Sequence, residues 1–144
     1  MRRMADLYNT DIVAWAEVQA EALRRRAMNA IDWDNVAEEI EGVGRGQRQA
    51  VEAHLILALL HDLKAEAWPR SLSEPSWRAE ARLHRRLARR KFAPGMRQKI
   101  DVASLYADAL DGLPDTLDGM PHLPVPHICP VTLDELLAEP HGAS

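Results

Sequence analysis

A single cysteine, Cys129, stands among the 144 residues. No internal disulfide can form, and a zinc site built on several thiolates is excluded. Such cysteine usage fits a reducing cytoplasm, which is the expected compartment. Aromatic residues are also scarce, at 5%, while alanine and leucine supply much of the 47% hydrophobic content. That mixture favours helix over sheet. No apolar run approaches the ~20 residues of a membrane span. The longest, Leu55 to Leu60, is ended by His61 and Asp62. Arg2 and Arg3 are not followed by an apolar signal core, so a soluble, unexported chain is expected. Several catalytic signatures are missing as well. There is no Gly-x-Ser-x-Gly elbow, no His-Glu-x-x-His zinc helix, no glycine-rich phosphate loop and no Glu-x-x-His pair of the kind that di-iron bundles use.

What the chain has in quantity is segregated charge. Its net charge is -4. Residues 1–69 carry eight Lys/Arg and twelve Asp/Glu, and residues 70–99 carry ten Lys/Arg against Glu74 and Glu80 alone. Residues 100–144 carry eight Asp/Glu and no Lys/Arg. A basic middle between acidic ends can bind an anion, or it can neutralise itself within the fold or between subunits. For a nearly balanced total, self-neutralisation is the commoner outcome.

Periodicity predicts helices throughout. Asn9 or Thr10 is expected to cap a first helix running to about Met28, with Ile12, Trp15, Ala16, Gln19, Ala22 and Leu23 at helical spacing. Asp32 is expected to cap a second helix with its carboxylate on free backbone amides, and Trp33 to anchor its first turn. An apolar stripe through Val36, Ile40, Val43, Gln47, Ala50, His54, Leu57 and His61 predicts one long helix over about 33–66. Gly42, Gly44 and Gly46 predict a kink or short break within it, each costing roughly 1 kcal/mol against alanine. Pro69 stops that helix. Ser73 and Pro75 open the next, which runs to about Lys91, and Pro94 is expected to start another reaching about Leu110. Five prolines between Leu113 and Pro130 predict an extended wrap. Thr132 and Glu135 form a capping box for a last short helix. No internal repeat and no convincing strand stand out. The expected architecture is all-α: a single helical domain of about four main helices around a long central one. Its core covers about 6–111, followed by the Pro-rich segment 113–130 and a short helix over 132–138.

Three groups of side chains are candidates for chemistry. Glu38, Glu41, Arg45, Arg48 and Glu52 fall at steps of three and four, so a solvated ion-pair ladder accounts for most of the Glu38-Glu39-Ile40-Glu41 cluster, with Glu39 off the ladder. His54 and His61 lie two turns apart, about 10.5 Å along the axis, and cannot chelate one ion together. Packed, hydrogen-bonded core histidines are expected instead. Arg78, Arg82, Arg85 and Arg89 form a basic helix face suited to phosphate, but no aromatic is interleaved for base stacking. Pairing of these arginines with the acidic segments is favoured. The spacings Arg48 to His54 and Arg78 to His84 resemble the loose Arg-x-x-x-x-x-His ribonuclease pattern of helical nucleotide-binding proteins, a short pattern that arises easily in an arginine-rich chain. Cys129, between Ile128 and Pro130, carries no sign of an activated thiolate.

Taken in order, several of these residues resemble one family. Tyr8, Asp11 and Trp15, then Asp32-Trp33, then Glu38-Glu39-Ile40-Glu41 with Gly44 are similar to the bacterial family called domain of unknown function twenty-nine. The likeness continues through Leu59-Leu60-His61-x-Leu63-Lys64, Ser76-Trp77, Arg85 and Cys129-Pro130-Val131-Thr132-Leu133. It spans about Asp6 to Ala138. Ala65 departs from it, since the family usually has tryptophan there, and so does Trp68-Pro69, where glutamine-proline is usual. The resemblance implies an all-helical fold and no particular activity.

The expected function is therefore a non-enzymatic, self-associating or protein-interacting module, with protein as the expected partner. Nucleic-acid binding through Arg78, Arg82, Arg85 and Arg89 is the first alternative. The second is a small polar or metal site between helices. Its polar candidates are Glu38, Glu39, Glu41, His61, Lys64 and Arg85, expected chiefly as a network that fixes helix register. No cofactor, metal or catalytic residue is expected.

Overall fold

The computed structural model describes residues 4–140. Among these described residues six helices dominate: α1 (Met4–Thr10), α2 (Ile12–Arg24), α3 (Trp33–Ala67), α4 (Glu74–Lys91), α5 (Val102–Gly112) and α6 (Leu133–Leu137). The chain is all-α with a long helix, α3, as its composition and periodicity predict. Two strands of two residues each, β1 (Thr116–Leu117) and β2 (Met120–Pro121), pair antiparallel. No helix among the described residues is long and apolar enough to cross a membrane. The chain forms two compact units, divided in sequence between Gly46 and Gln47.

In the first unit the helix expected after Thr10 is α2, and α1 precedes it without having been expected. Asp11 separates them: its non-helical backbone, with φ -153° and ψ 84°, cannot continue α1, and its Oδ1 accepts from the Ala14 amide at 3.0 Å. Thr10 does not cap α2; its hydroxyl donates back to the Asp6 carbonyl within α1. Helix α2 stops at Arg24 rather than near Met28. Arg26 turns left-handed, with φ 56°, and Ala27 and Arg26 donate to the Ala22 and Leu23 carbonyls. This closes the helix by the arrangement that usually employs glycine. An L side chain in that conformation costs about 1 kcal/mol. Arg26→Gly is therefore expected to raise stability by up to ~1 kcal/mol, readable as a higher urea midpoint. A lower midpoint would count against the assigned backbone.

Buried Trp15 and Gln19 hold this unit together. The Trp15 indole N–H donates to Asp32 Oδ2 at 3.0 Å, and the Asn35 side-chain amide donates to the same oxygen at 2.8 Å. Gln19 accepts from the Asp32 amide at 2.7 Å and donates to the Ala30 carbonyl at 3.2 Å. Asp32 thus stands at the start of α3, but its carboxylate serves these side chains rather than free backbone amides. Trp33, expected as the anchor, is 51% exposed; the buried aromatic is Trp15.

Helix α3 continues through Gly42, Gly44 and Gly46 without the expected break. In the second unit its buried positions are Val51, Leu55, Ala58, Leu59, Leu63, Ala65 and Ala67. Val51, Leu55 and Ala58 lie one residue beyond Ala50, His54 and Leu57 of the predicted stripe, and Ile40 and Val43 of that stripe are largely exposed. Steps of four and three average 3.5 residues, whereas a straight helix has 3.6 per turn, so a phase set at Val36 drifts by roughly 40° over the two heptads to Ala50, less than half of the about 100° that one residue spans. The core is completed by Ala88 of α4, Leu105, Tyr106 and Ala109 of α5, Leu136 of α6, and Met96 and Ile100 between α4 and α5.

Pro94 opens only a 3-10 turn, Pro94–Met96, instead of a long helix. Helix α5 begins after Asp101, whose carboxylate accepts from the Ala103 amide. Ser73 flanks α4 without a side-chain cap bond, and Pro75 sits in its first turn as expected. The Pro-rich stretch carries a hairpin at Asp118-Gly119, both with positive φ, the pair that a tight two-residue hairpin turn favours. Beyond it, the Leu123 amide donates to the Ala67 carbonyl and the Tyr106 hydroxyl to the Pro126 carbonyl, tying the wrap to the core. The Thr132–Glu135 capping box is present.

Candidate functional site

Glu38, Glu39 and Glu41 lie in the first unit, and each has its own surroundings. Glu38 pairs with Arg45 at 3.6 Å, where the ladder expected Glu41 to be the partner. Two turns of helix bring Glu38 and Arg45 onto nearly the same face, and the long guanidinium stem spans the gap. Glu41 is exposed. Glu39, off the ladder, accepts the Tyr8 hydroxyl at 2.5 Å, and Tyr8 stacks edge-on against Trp15 at 4.8 Å between centroids. That hydrogen bond, then partial burial and the charges of Glu39, Glu38 and Asp32, hold the Tyr8 hydroxyl above its ordinary value. The glutamate that the ladder leaves over is thus one end of a link from α1 to α3.

The second unit gathers the remaining candidates between α3 and α4. Arg78 and Arg85 both donate to Asp62, Arg78 at 3.2 Å. Arg78 also meets Glu74 at 3.1 Å, and Arg48 meets Glu52 at 3.1 Å. Arg89 donates to the Ala138 carbonyl and faces Glu139 at 4.0 Å, while Arg97 pairs with Asp134. The basic face is therefore engaged in part by acids from before and after it in sequence. A cavity of about 350 Å³ opens beside these pairs. Leu59, Leu63, Tyr106, Pro130 and Val131 give it an apolar lining, and Asp62, Glu66, Arg78, Arg82 and Arg85 a charged one. Arg85 Nε is buried without a hydrogen-bond partner among the described residues.

Also between α3 and α4, three histidines meet. His54 Nδ1 lies 3.1 Å from His84 Nδ1, and the His61 and His84 rings stack at 5.9 Å with 7° between their planes. His84 Nε2 is 3.7 Å from Glu80 Oε2, one turn earlier on α4. His54 and His61 are half-buried at the edge of the core rather than packed within it. His61 Nδ1 is buried and has no hydrogen-bond partner among the described residues, contrary to the satisfied histidine expected there. Burial first, then His84 and Lys91, depress the His54 imidazole below its ordinary 6.5. Burial first, then Lys64, depress that of His61, against the opposing pull of Glu80 and Asp62. Both rings are thus held toward the neutral form. Lys64 enters this cluster through its charge, and Arg85 belongs to the Asp62 pairs instead.

Asp62 and Glu80 are residues that sequence reasoning passed over as site members, and His84 entered it only through its spacing from Arg78. The local signal for two of them was present: Glu80 and His84 are four apart, hence on one helix face. Cys129 donates to the Val131 carbonyl at 3.2 Å, a packed thiol as expected.

The family model Domain of unknown function DUF29 matches residues 7–141. No curated protein matches the chain. Among solved structures, an alpha-helical protein of unknown function from Rhodospirillum rubrum is similar in fold, with a TM-score of 0.65 and 21% identity. The match covers 92% of this chain and 89% of that one.

Proposed function

The chain belongs to the Domain of unknown function DUF29 family, and from that premise we propose that it works by protein association rather than catalysis, its first partner being a second copy of itself. One observation carries this reading. Large apolar side chains lie exposed along the first unit: Ile12, Val13, Val18 and Leu23 on α2, Met28 after it, and Trp33, Ile40 and Val43 on α3. Ile40 and Val43 are 67% and 66% exposed. Trp33, Ile40 and Val43 follow steps of seven and three, so they share one face of α3. A helix stripe of that kind, left in water, is the sort of surface that a partner helix covers.

Charge favours a second copy as the occupant. Across α3 from the stripe stand the exposed acids Asp34, Glu38 and Glu41, and α4 carries exposed Arg82, Arg86 and Arg90 at steps of four. The acids of one copy and the basic helix of the other are complementary in sign, a contact separate from the apolar stripe.

Light scattering on the purified chain at about 100 μM is expected to report a dimer, with association weakening as salt rises and screens the charged contacts. Ile40→Glu combined with Val43→Glu is expected to weaken association at least ~100-fold, since it places unpaired charges in the contact. Both positions are exposed in the single chain, so helicity by circular dichroism should be unchanged. A monomeric wild-type chain at that concentration would overturn the proposal.

A further inference from the structure

We infer that His61, Glu80 and His84 form a binding site for a divalent transition-metal ion, with His54 as the outer partner that orients His84. The inference is independent of self-association and concerns the second unit alone. One ligand atom from each of the three residues lies within 4.8 Å of the other two. Ligand atoms around a tetrahedral zinc ion, bonded at ~2.0–2.2 Å, are about 3.4 Å apart. The 3.7 Å between His84 Nε2 and Glu80 Oε2 is close to that spacing. Small side-chain rotations, rather than movement of a helix, complete the triangle.

Each ligand has a structural reason to be where it is. Glu80 and His84 stand one turn apart on α4 and present a carboxylate and an imidazole on the same face. His61 comes from α3 and lies parallel to His84. A ligating histidine usually engages its second ring nitrogen in an outer hydrogen bond, which fixes its tautomer. His84 has this arrangement: Nε2 faces Glu80, and Nδ1 lies 3.1 Å from His54 Nδ1. With the His84 proton on Nδ1 and donated to His54, Nε2 keeps a free lone pair for the metal. His61 Nδ1 is the second observation. It is closed off from water and unpartnered among the described residues. A nitrogen so placed is costly to bury, and coordination is one way to satisfy it.

The donor set also selects the ion. Two imidazoles and one carboxylate suit Zn²⁺, Co²⁺ or Fe²⁺, whereas Mg²⁺ and Ca²⁺ prefer oxygen alone. Three protein ligands leave a position for water or a further ligand. Exposure of Glu80, at 51% of its side chain, keeps the ion reachable from solvent.

The test uses the full chain without a histidine tag, stripped of metal, near neutral pH. Calorimetric titration with Zn²⁺ is expected to give one ion per chain. Co²⁺ is expected to add visible absorption bands that Zn²⁺ removes. His84→Ala or His61→Ala should weaken Zn²⁺ binding about 100-fold or more, and His54→Gln about 10-fold with the stoichiometry kept. Glu80→Gln, a surface change that leaves the fold intact by circular dichroism, should weaken it at least ~10-fold. His122→Gln and His127→Gln should change nothing. Absence of Zn²⁺ and Co²⁺ binding up to about 1 mM would overturn the assignment. So would binding left undiminished by Glu80→Gln and His84→Ala.

Discussion

Replacing Trp15 by alanine is expected to lower the unfolding free energy by about 3–5 kcal/mol, while Trp33→Ala changes it by under ~1 kcal/mol. Both tryptophans belong to the family-like pattern at the start of the chain, and by composition they are equivalent. Their surroundings are not. Trp15 is buried, packs edge-on against Tyr8 and donates its indole N–H to Asp32. Its removal takes away a large apolar surface, an aromatic pair worth ~0.5–1.5 kcal/mol and a hydrogen bond to a carboxylate. Trp33 is half in water already. Trp15→Phe separates the contributions. It keeps the ring contact but leaves Asp32 Oδ2 with the Asn35 amide alone, and should cost about 1.5–3 kcal/mol. Urea unfolding followed by circular dichroism reads all three variants. Equal losses for Trp15→Ala and Trp33→Ala would sink the assignment of Trp15 as the anchor of this unit.

The Trp15–Asp32 contact shows how far local sequence carries the argument. Features set by neighbours in the chain were legible: the Thr132–Glu135 capping box, Pro69 as a helix stop, Pro75 in the first turn of α4, and α3 as one long helix. A hairpin signal, Asp118-Gly119, stood in the Pro-rich stretch as well, but the flanking strands are only two residues each and give no alternation to read. Partners from elsewhere in the chain were not legible. Glu39 falls off the ion-pair ladder by its spacing, and the partner it has instead, Tyr8, is 31 residues away. The carboxylate of Asp32 is taken by an indole from α2, so its capping chemistry was misread although its position was right. The same limit applies at the candidate metal site. Glu80 and His84 share a face by spacing alone, yet only the packing of α4 on α3 brings His61 to them. The arginine face was resolved in the same way. Its length and period were clear, but its pairing depends on Asp62 in α3 and Glu139 after α6.

Leu55→Ala is expected to cost about 2–5 kcal/mol, and Leu57→Ala under ~1 kcal/mol, although the predicted stripe contains Leu57 and omits Leu55. Leu55 is fully buried, at 0% exposure, and belongs to the core with Val51, Leu59 and Leu63. Truncating it removes three carbons' worth of burial and leaves a void between α3 and its neighbours. Rigid helices on both sides limit collapse into that void, which puts the cost toward the upper part of the range. Leu57 is 38% exposed, so truncation there returns little surface to water. The two residues are two positions apart, about 200° around the helix, and point to nearly opposite sides. Their contrast therefore measures the phase of α3 directly. This phase also decides the chemistry, because it sets His54 and His61 at the edge of the core, where they meet His84 instead of apolar neighbours. A larger loss for Leu57→Ala than for Leu55→Ala would rotate α3 and remove His61 from Glu80. Thermal unfolding is sufficient to tell the cases apart: at ~2–4 °C per kcal/mol for a chain of this size, Leu55→Ala should lower Tm by roughly 4–20 °C, and Leu57→Ala by a few degrees at most.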